Sequence, residues 1–298
     1  MTQPAPPLIS LLICTRDRAR ALGRCLEAVQ TELARAPEIS IEVVLVDNGS
    51  SDDTKLVIEK WMQQCGRPVR SVFEPRPGLS RARNAGLAVA RGSILAFTDD
   101  DCCLGEGYFA ALCECYSAFK GAVVIGGRIE LGDQADLAMC IKTDASVSIF
   151  DGSDPGTFVA GCNMTFSRDA WIALGPIDER LGAGTPLEAA EDTDYVYRAF
   201  LANIPVVYNP ALSVKHFHGR RTSEDARKLQ HAYSVGAGAL SAKYPDAVFA
   251  RQFSWNVKNA LLEMIGGVRA LKPKFGLTSW RMAWGNVIGA ARYRRLVQ

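Results

Sequence analysis

A chain of 298 residues can hold one large domain or one domain with an appendage, and a hydrophobic content of 48% excludes a disordered polymer. Charged residues make up 22% and the net charge is only +2, which argues against nucleic acid as the main partner. The charge is uneven: residues 251–298 hold nine Lys or Arg and one acid, Glu263, so they carry +8 and residues 1–250 carry −6.

The chain opens with MTQPAPPLISLLICTRDR, which has no basic segment before its short apolar run and does not read as a signal peptide. No apolar stretch reaches the ~20 residues needed to span a bilayer. Nine cysteines without any C-x-x-C spacing read as small buried side chains in a reducing compartment. Together these features predict a cytoplasmic protein.

Residues 8–14 form a continuous apolar run, and 19–36 follow with helical spacing at Leu22, Leu26, Val29 and Leu33. Residues 41–46 are β-branched and end in the turn cluster Asp47–Ser51, after which Ser51 or Asp52 can cap a helix running to about Cys65. A short strand is predicted over 69–73, a helix over 79–91 and a buried strand over 93–98. Short apolar strands alternating with amphipathic helices imply βαβ units, an α/β fold with a mainly parallel sheet. Ligands of such sheets bind outside the carboxyl ends of the strands, where Asp47 and Asp99–Asp101 both fall. Beyond 120 the expected pieces are a strand over 122–131 bent at Gly126-Gly127, a turn-rich stretch over 132–160, a helix over 191–203, and short strands over 206–208 and 212–218. From Thr222 onward the chain reads as helices only.

Three adjacent carboxylates, Asp99-Asp100-Asp101, repel one another unless a cation neutralises them. Oxygen ligands with room for phosphate suit Mg²⁺ or Mn²⁺, although a solvated acidic turn would look the same. Asp47 is placed to accept hydrogen bonds from a base or ribose, because Asp52 and Asp53 are better placed to cap the next helix. Arg81-x-Arg83-Asn84 opens a helix, where cations beside free N–H groups suit a diphosphate; an ordinary basic face is the alternative. Glu191-Asp192-x-Asp194 precedes an amphipathic helix and follows Gly182–Pro186, which reads as a mobile lid. An acid held there suits a general base and also favours the helix dipole. His216 and His218 alternate on a predicted strand, so they face one way and either would complete a metal shell. No dinucleotide-binding glycine fingerprint, phosphate-binding P-loop or nucleophile elbow occurs.

Taken in order, ICTRDR at 13–18, VDNGSSDDT at 46–54, PGLSRARNAGLAVARG at 77–92, FTDDD at 97–101, GCNMTFSRDA at 161–170, EDTDYVYR at 191–198 and VKHFHG at 214–219 resemble glycosyltransferase family two. These are inverting nucleotide-sugar transferases of the GT-A fold, and the resemblance covers roughly residues 8–220. It implies a catalytic domain over 1–220, with a nucleotide-binding half at 8–120 and an acceptor half at 121–220, followed by a helical extension at 221–298. Thr15 and Asp47 would contact the nucleoside, with Arg16 beside them, although many members carry Tyr-Asn-Arg where this chain has Arg16-Asp17-Arg18. Arg81, Arg83 and Asn84 would lie near the base or diphosphate. Asp101 would bind the metal, Asp99 would share between metal and ribose, and Asp100 would contribute to either. Asp192, paired with Glu191, matches the catalytic base. His216 matches the histidine near the metal, with His218 as fallback, and Gly161 and Asn163 lie where sugar and acceptor would sit.

The expected activity is metal-dependent transfer of a sugar from a nucleotide sugar, UDP first, to a hydroxyl of a glycan, lipid-linked precursor or small molecule in polysaccharide or glycolipid synthesis. A non-catalytic nucleotide-sugar binder and a sugar nucleotidyltransferase are the alternatives. The full set Asp99, Asp101, Asp192 and His216 favours the enzyme over the binder, and Arg16-Asp17-Arg18 lacks the glycines of a nucleotidyltransferase loop. The +8 tail, with Trp255, Trp280 and Trp284, reads either as a helix on an anionic membrane surface, at its inner face, or as a helical cap on the catalytic domain.

Overall fold

The computed structural model describes residues 8–246, 248–251, 254, 258, 262 and 273–298. Strands β1 (Ile9–Thr15), β2 (Ile41–Asp47), β3 (Val69–Phe73) and β4 (Ile94–Asp99) run parallel in the order β3-β2-β1-β4. Helices α1 (Ala19–Arg35), α2 (Thr54–Gln64) and α3 (Leu79–Val89) connect them. The inner strands are apolar throughout because both faces are covered. Ile9, Leu11, Ile13, Val43 and Leu45 share one core with Leu22, Leu26, Val29 and Leu33 of α1. The alternate positions Leu12, Val44, Val46 and Phe97 share the other with Leu87 of α3. Each such side chain contributes ~1.5–3 kcal/mol on burial.

The second half turns the sheet mixed. After β5 (Cys102–Leu104) and α4 (Tyr108–Ser117) come β6 (Val124–Leu131), β7 (Ser148–Ile149), α5 (Pro155–Phe158), a 3₁₀ turn (Gly161–Asn163) and β8 (Met164–Ser167). Then follow α6 (Arg168–Leu174), α7 (Glu191–Leu201) and β9 (Val206–His216). The order continues β4-β8-β6-β9-β5, with β8 antiparallel to both neighbours, β6 parallel to β9, and β5 and β7 antiparallel to β9. The two short strands expected over 206–218 are one strand whose register jumps opposite Gly127–Arg128. Gly127 must lack a side chain there, since a Cβ would stand 2.1 Å from the Leu212 carbonyl oxygen.

Helices α8 (Ser223–Lys243) and α9 (Pro273–Leu296) pack on each other. They cross at glycines: a Cβ on Gly289 would meet the Val235 carbonyl oxygen at 1.9 Å, and one on Gly238 the Asn286 carbonyl oxygen at 2.0 Å. Ala239, Leu240 and Tyr293 share a core with Leu181, Leu187 and Tyr197, so the helical pair packs against the loop that leads into α7. No helix among the described residues is long and apolar enough to cross a membrane. Trp255 and the basic residues Arg269 and Lys272 of the tail lie outside the described residues.

Candidate active site

Thr15, Asp47 and Asp99 end three adjacent parallel strands, and the ladders set Thr15 opposite Asp47 and Cys14 opposite Asp99. The strand ends therefore form one acidic rim. Asp52 accepts from Thr54 N–H at 3.0 Å and from Ala19 N–H at 3.0 Å, tying the start of α2 to that of α1. That leaves the Asp47 carboxylate with one bond among the described residues, from Ser50 N–H at 2.8 Å.

The three aspartates are not equivalent. Asp99 keeps 33% of its side chain exposed, whereas Asp100 and Asp101 are buried. Asp100 accepts from the Thr15 hydroxyl at 2.7 Å and pairs with Arg18 at 3.2 Å. Burial still pushes its carboxyl up to about 7, against the pull of Arg18 and Thr15. Asp101 is flanked by Arg18 at 2.7 Å and by His216 Nε2 at 3.3 Å. Burial opposes its ionisation, but the His216 hydrogen bond and the charges of His216 and Arg18 hold it well below the usual carboxylate range. In turn, burial disfavours charge on His216, yet Asp101 lifts it to about 9. His216 Nδ1 is buried without a hydrogen-bond partner among the described residues. Asp101 and His216 thus set a carboxylate and an imidazole 3.3 Å apart, and Asp99 ends the neighbouring strand on the same rim; carboxylate oxygens with an imidazole nitrogen suit a divalent cation.

Arg18 is the residue on the acidic cluster that sequence reasoning did not single out. It lies three positions past Thr15 in the turn after β1, on the same rim as the cluster, and that placement was the available signal. Arg16 instead points to Asp17 at 3.5 Å and stays exposed.

Several residues expected at the ligand bond to protein groups in the structure. His218 lies beyond the end of β9; its Nε2 is 3.1 Å from the Leu137 carbonyl and its Nδ1 accepts from Arg220 N–H at 3.0 Å. Both nitrogens are engaged, so it offers no lone pair to a metal. Arg83 is 2% exposed and bridges Asp99 at 3.2 Å and Glu191 at 2.8 Å. It ties the acidic rim to the start of α7 from inside the protein. Burial disfavours its charge, but Glu191 and Asp99 keep it cationic. Asn84 donates to the Ile177 carbonyl and accepts from Ile177 N–H, both at 2.9 Å, which fastens α3 to the loop before α7. Arg81 donates to the Pro77 carbonyl at 2.9 Å and stands 3.4 Å from Glu179. Asn163 accepts from Tyr108 Oη and donates to the Arg128 and Leu212 carbonyls, locking the β6–β9 irregularity. The segment Gly182–Pro186, expected as a mobile lid, is tied down. Thr185 donates to the Arg180 and Gly182 carbonyls, Leu79 N–H donates to Ala183, and Ser80 donates to Leu181. Gly182 and Gly184 adopt positive φ to make these turns.

Asp192 is the half-buried acid beside this bridge. Its Oδ2 accepts from Gly161 N–H at 2.8 Å and its Oδ1 from Thr193 N–H at 2.7 Å. Gly161 lies against Arg83, so that a Cβ there would stand 2.7 Å from the guanidinium. Glu191, at the same helix start, is buried on Arg83. Burial and the charge of Asp192 push its carboxyl up to about 7 while Arg83 pulls it down. One guanidinium therefore connects the acidic rim to the Glu191–Asp192 pair.

Residues 10–139 match the model of glycosyl transferase family 2. Glycosyltransferase AglE of Haloferax volcanii is 30% identical over 248 residues, which is 83% of this chain and 77% of that protein. The chain belongs to glycosyl transferase family 2. As a family 2 glycosyltransferase it is a transferase enzyme. A mannosyltransferase from Pyrobaculum calidifontis, solved with GDP-Man and Mn²⁺, superposes with a TM-score of 0.64 at 16% identity, over 98% of this chain and 90% of that one. S. aureus TarS 1-349 in complex with UDP superposes with a TM-score of 0.54 at 15% identity, over 96% and 91%. At such identities the superpositions establish the shared GT-A fold of this family 2 enzyme.

Proposed function

We propose that this family 2 glycosyltransferase moves a sugar from a nucleotide sugar, a UDP-sugar first, to a hydroxyl acceptor of a glycan or lipid-linked precursor, inverting the anomeric carbon. The observation that carries this reading is the Arg83 bridge, which holds Asp99 and Glu191 within 3.2 Å of one guanidinium and so sets Asp192 beside the acidic rim. Asp101, Asp99 and His216 would hold Mn²⁺ or Mg²⁺, which when bound neutralises a diphosphate and stabilises its departure. Thr15 and Asp47 line the rim where a nucleoside would lie, and Asp47 has a carboxylate oxygen left to accept from it. Asp192 accepts the proton of the acceptor hydroxyl, and Gly161 N–H orients its carboxylate for that step.

Thermal-shift measurements with UDP, GDP and dTDP, with and without Mn²⁺, test the reading, since a ligand of the folded state raises the melting temperature by mass action. A shift for UDP that needs Mn²⁺ and is lost in Asp101→Asn is expected. Failure of every nucleotide to stabilise the protein would end it.

We extend the proposal to location: the enzyme works at the cytoplasmic face of a membrane, held peripherally by α9. Trp280, Trp284 and Val287 are exposed at helical spacing along one face. Arg227, Lys228, His231 and Arg281 line the adjoining cleft, with Glu188 and Glu224 on its wall. Apolar side chains beside cations suit an anionic lipid surface. Flotation with phosphatidylglycerol vesicles should fall in the Trp280→Ala/Trp284→Ala double variant. Equal flotation of variant and parent would sink the membrane placement and leave the transferase reading intact.

A further inference from the structure

Two thiols and an imidazole converge behind the acidic rim. Cys102 opens β5 directly opposite His216 in the β5–β9 ladder. Cys162 comes from the 3₁₀ turn whose Gly161 N–H is held by Asp192. The Cys102 sulfur, the Cys162 sulfur and a ring nitrogen of His216 all lie within 4.8 Å of one another. The three residues are 0%, 6% and 7% exposed. His216 Nδ1 has no hydrogen-bond partner among the described residues, and an orphaned buried nitrogen in a native fold calls for an explanation. Asp101 Oδ1 stands 3.9 Å from the Cys102 sulfur and 3.3 Å from His216 Nε2.

We propose that Cys102, Cys162 and His216 form a binding site for a thiophilic cation of the Zn²⁺ type, which adjoins the oxygen-rich seat at Asp99 and Asp101 and shares His216 with it. Tetrahedral zinc with bonds of ~2.3 Å to sulfur and ~2.0–2.1 Å to nitrogen sets its donors roughly 3.5–3.8 Å apart. With its donor atoms within 4.8 Å of one another, the triad reaches that spacing by contracting about 1 Å at most. Thiolate donors select Zn²⁺ over Mg²⁺ and Mn²⁺, which prefer carboxylates and water. Three protein ligands leave a fourth position for Asp101 or water. On loading, each thiol releases its proton to solvent and its sulfur bonds to the cation as thiolate. His216 and Asp101 also belong to the hard-cation seat, so Zn²⁺ in the sulfur site draws them away and opposes Mn²⁺ binding. The sulfur site stands independently of the transferase reading; only this antagonism touches it.

The test is a Co²⁺ titration of the metal-stripped full chain. A thiolate-to-cobalt charge-transfer band in the near ultraviolet is expected, saturating at one equivalent and displaced by Zn²⁺. Cys102→Ser and Cys162→Ser should lose the band, and Cys113→Ser should keep it. A band that survives both site substitutions, or no band in the parent, overturns the proposal. Zinc-edge X-ray absorption of the parent protein gives a reading that no folding defect can disturb. Two sulfur scatterers at ~2.3 Å support the site, and a shell of nitrogen and oxygen alone overturns it. Mn²⁺ titrated by electron paramagnetic resonance should bind more weakly after one equivalent of Zn²⁺, and unchanged binding refutes the antagonism.

Discussion

The rim of the crevice and the bridge behind it are both built from polar motif residues, yet the two regions behave as opposites. On the rim, the Asp47 carboxylate accepts a single bond among the described residues, from Ser50 N–H, and Asp99 is one third exposed, so oxygens remain for a ligand. In the bridge, Arg83, Asn84 and Asn163 bond to protein groups and are closed to one. The lesson is that a polar residue in a motif becomes a ligand contact only where the fold leaves its donors or acceptors unsatisfied. Asp192 stands between the regions: one oxygen is oriented by Gly161 and the residue is half-buried.

The largest effect that sharpens this contrast belongs to the bridge. Arg83→Met leaves Asp99 and Glu191 facing each other without a cation, and breaking a buried pair from one side costs ~3–5 kcal/mol. Urea unfolding should register that loss as a lower midpoint. If stability holds and only nucleotide affinity falls, Arg83 belongs to the rim instead. Next comes Asp192→Asn, where removal of a proton acceptor should lower turnover by ~10²-fold or more with the melting temperature preserved. Wild-type turnover in that variant removes Asp192 from the chemistry.

A third, smaller effect is a pH dependence in the metal-free protein. The folded value of His216, about 9, lies above its ordinary 6.5. The folded state thus holds this proton more tightly than the unfolded chain does. Its stabilisation is complete below about pH 6.5 and is lost as pH rises through about 9. Asp101 is shifted the other way, so its contribution is present at neutral pH and disappears only in acid. Melting temperatures in chelator should therefore decline between about pH 6.5 and 9, and His216→Asn should flatten that limb; a parallel decline in the variant assigns it elsewhere. The smallest expected effect is on the rim. Arg18 is 43% exposed and pairs with Asp100 and Asp101, so Arg18→Gln should tighten Mn²⁺ binding by only about two- to fivefold. Weaker binding in that variant would mean that Arg18 supports the cation seat instead of competing for it.

Much of the fold was legible because burial on both faces leaves continuous apolar strands such as Ile41–Val46, and because amphipathic spacing marks α1. The bulge in β9 was not legible: Val206–Tyr208 and Leu212–His218 read as separate strands, and only the close approach of Gly127 to the Leu212 carbonyl shows how one strand absorbs the interruption. The tied-down Gly182–Pro186 segment was missed for a related reason. Glycines suggest slack, while the bonds from Thr185, Leu79 and Ser80 that remove it come partly from a distant helix.

By itself the sequence determined the family, the parallel half of the sheet and the placement of Asp47 and Asp99–Asp101 at strand ends, because strand order and local periodicity are written along the chain. Tertiary structure alone decided how the work divides within those motifs. It set Arg18 on the acidic cluster, turned Arg83 into a buried tie, withdrew His218 and gathered Cys102, Cys162 and His216. Hydrogen-bond satisfaction and charge pairing depend on groups far apart in sequence, and their distances exist only once the chain has folded.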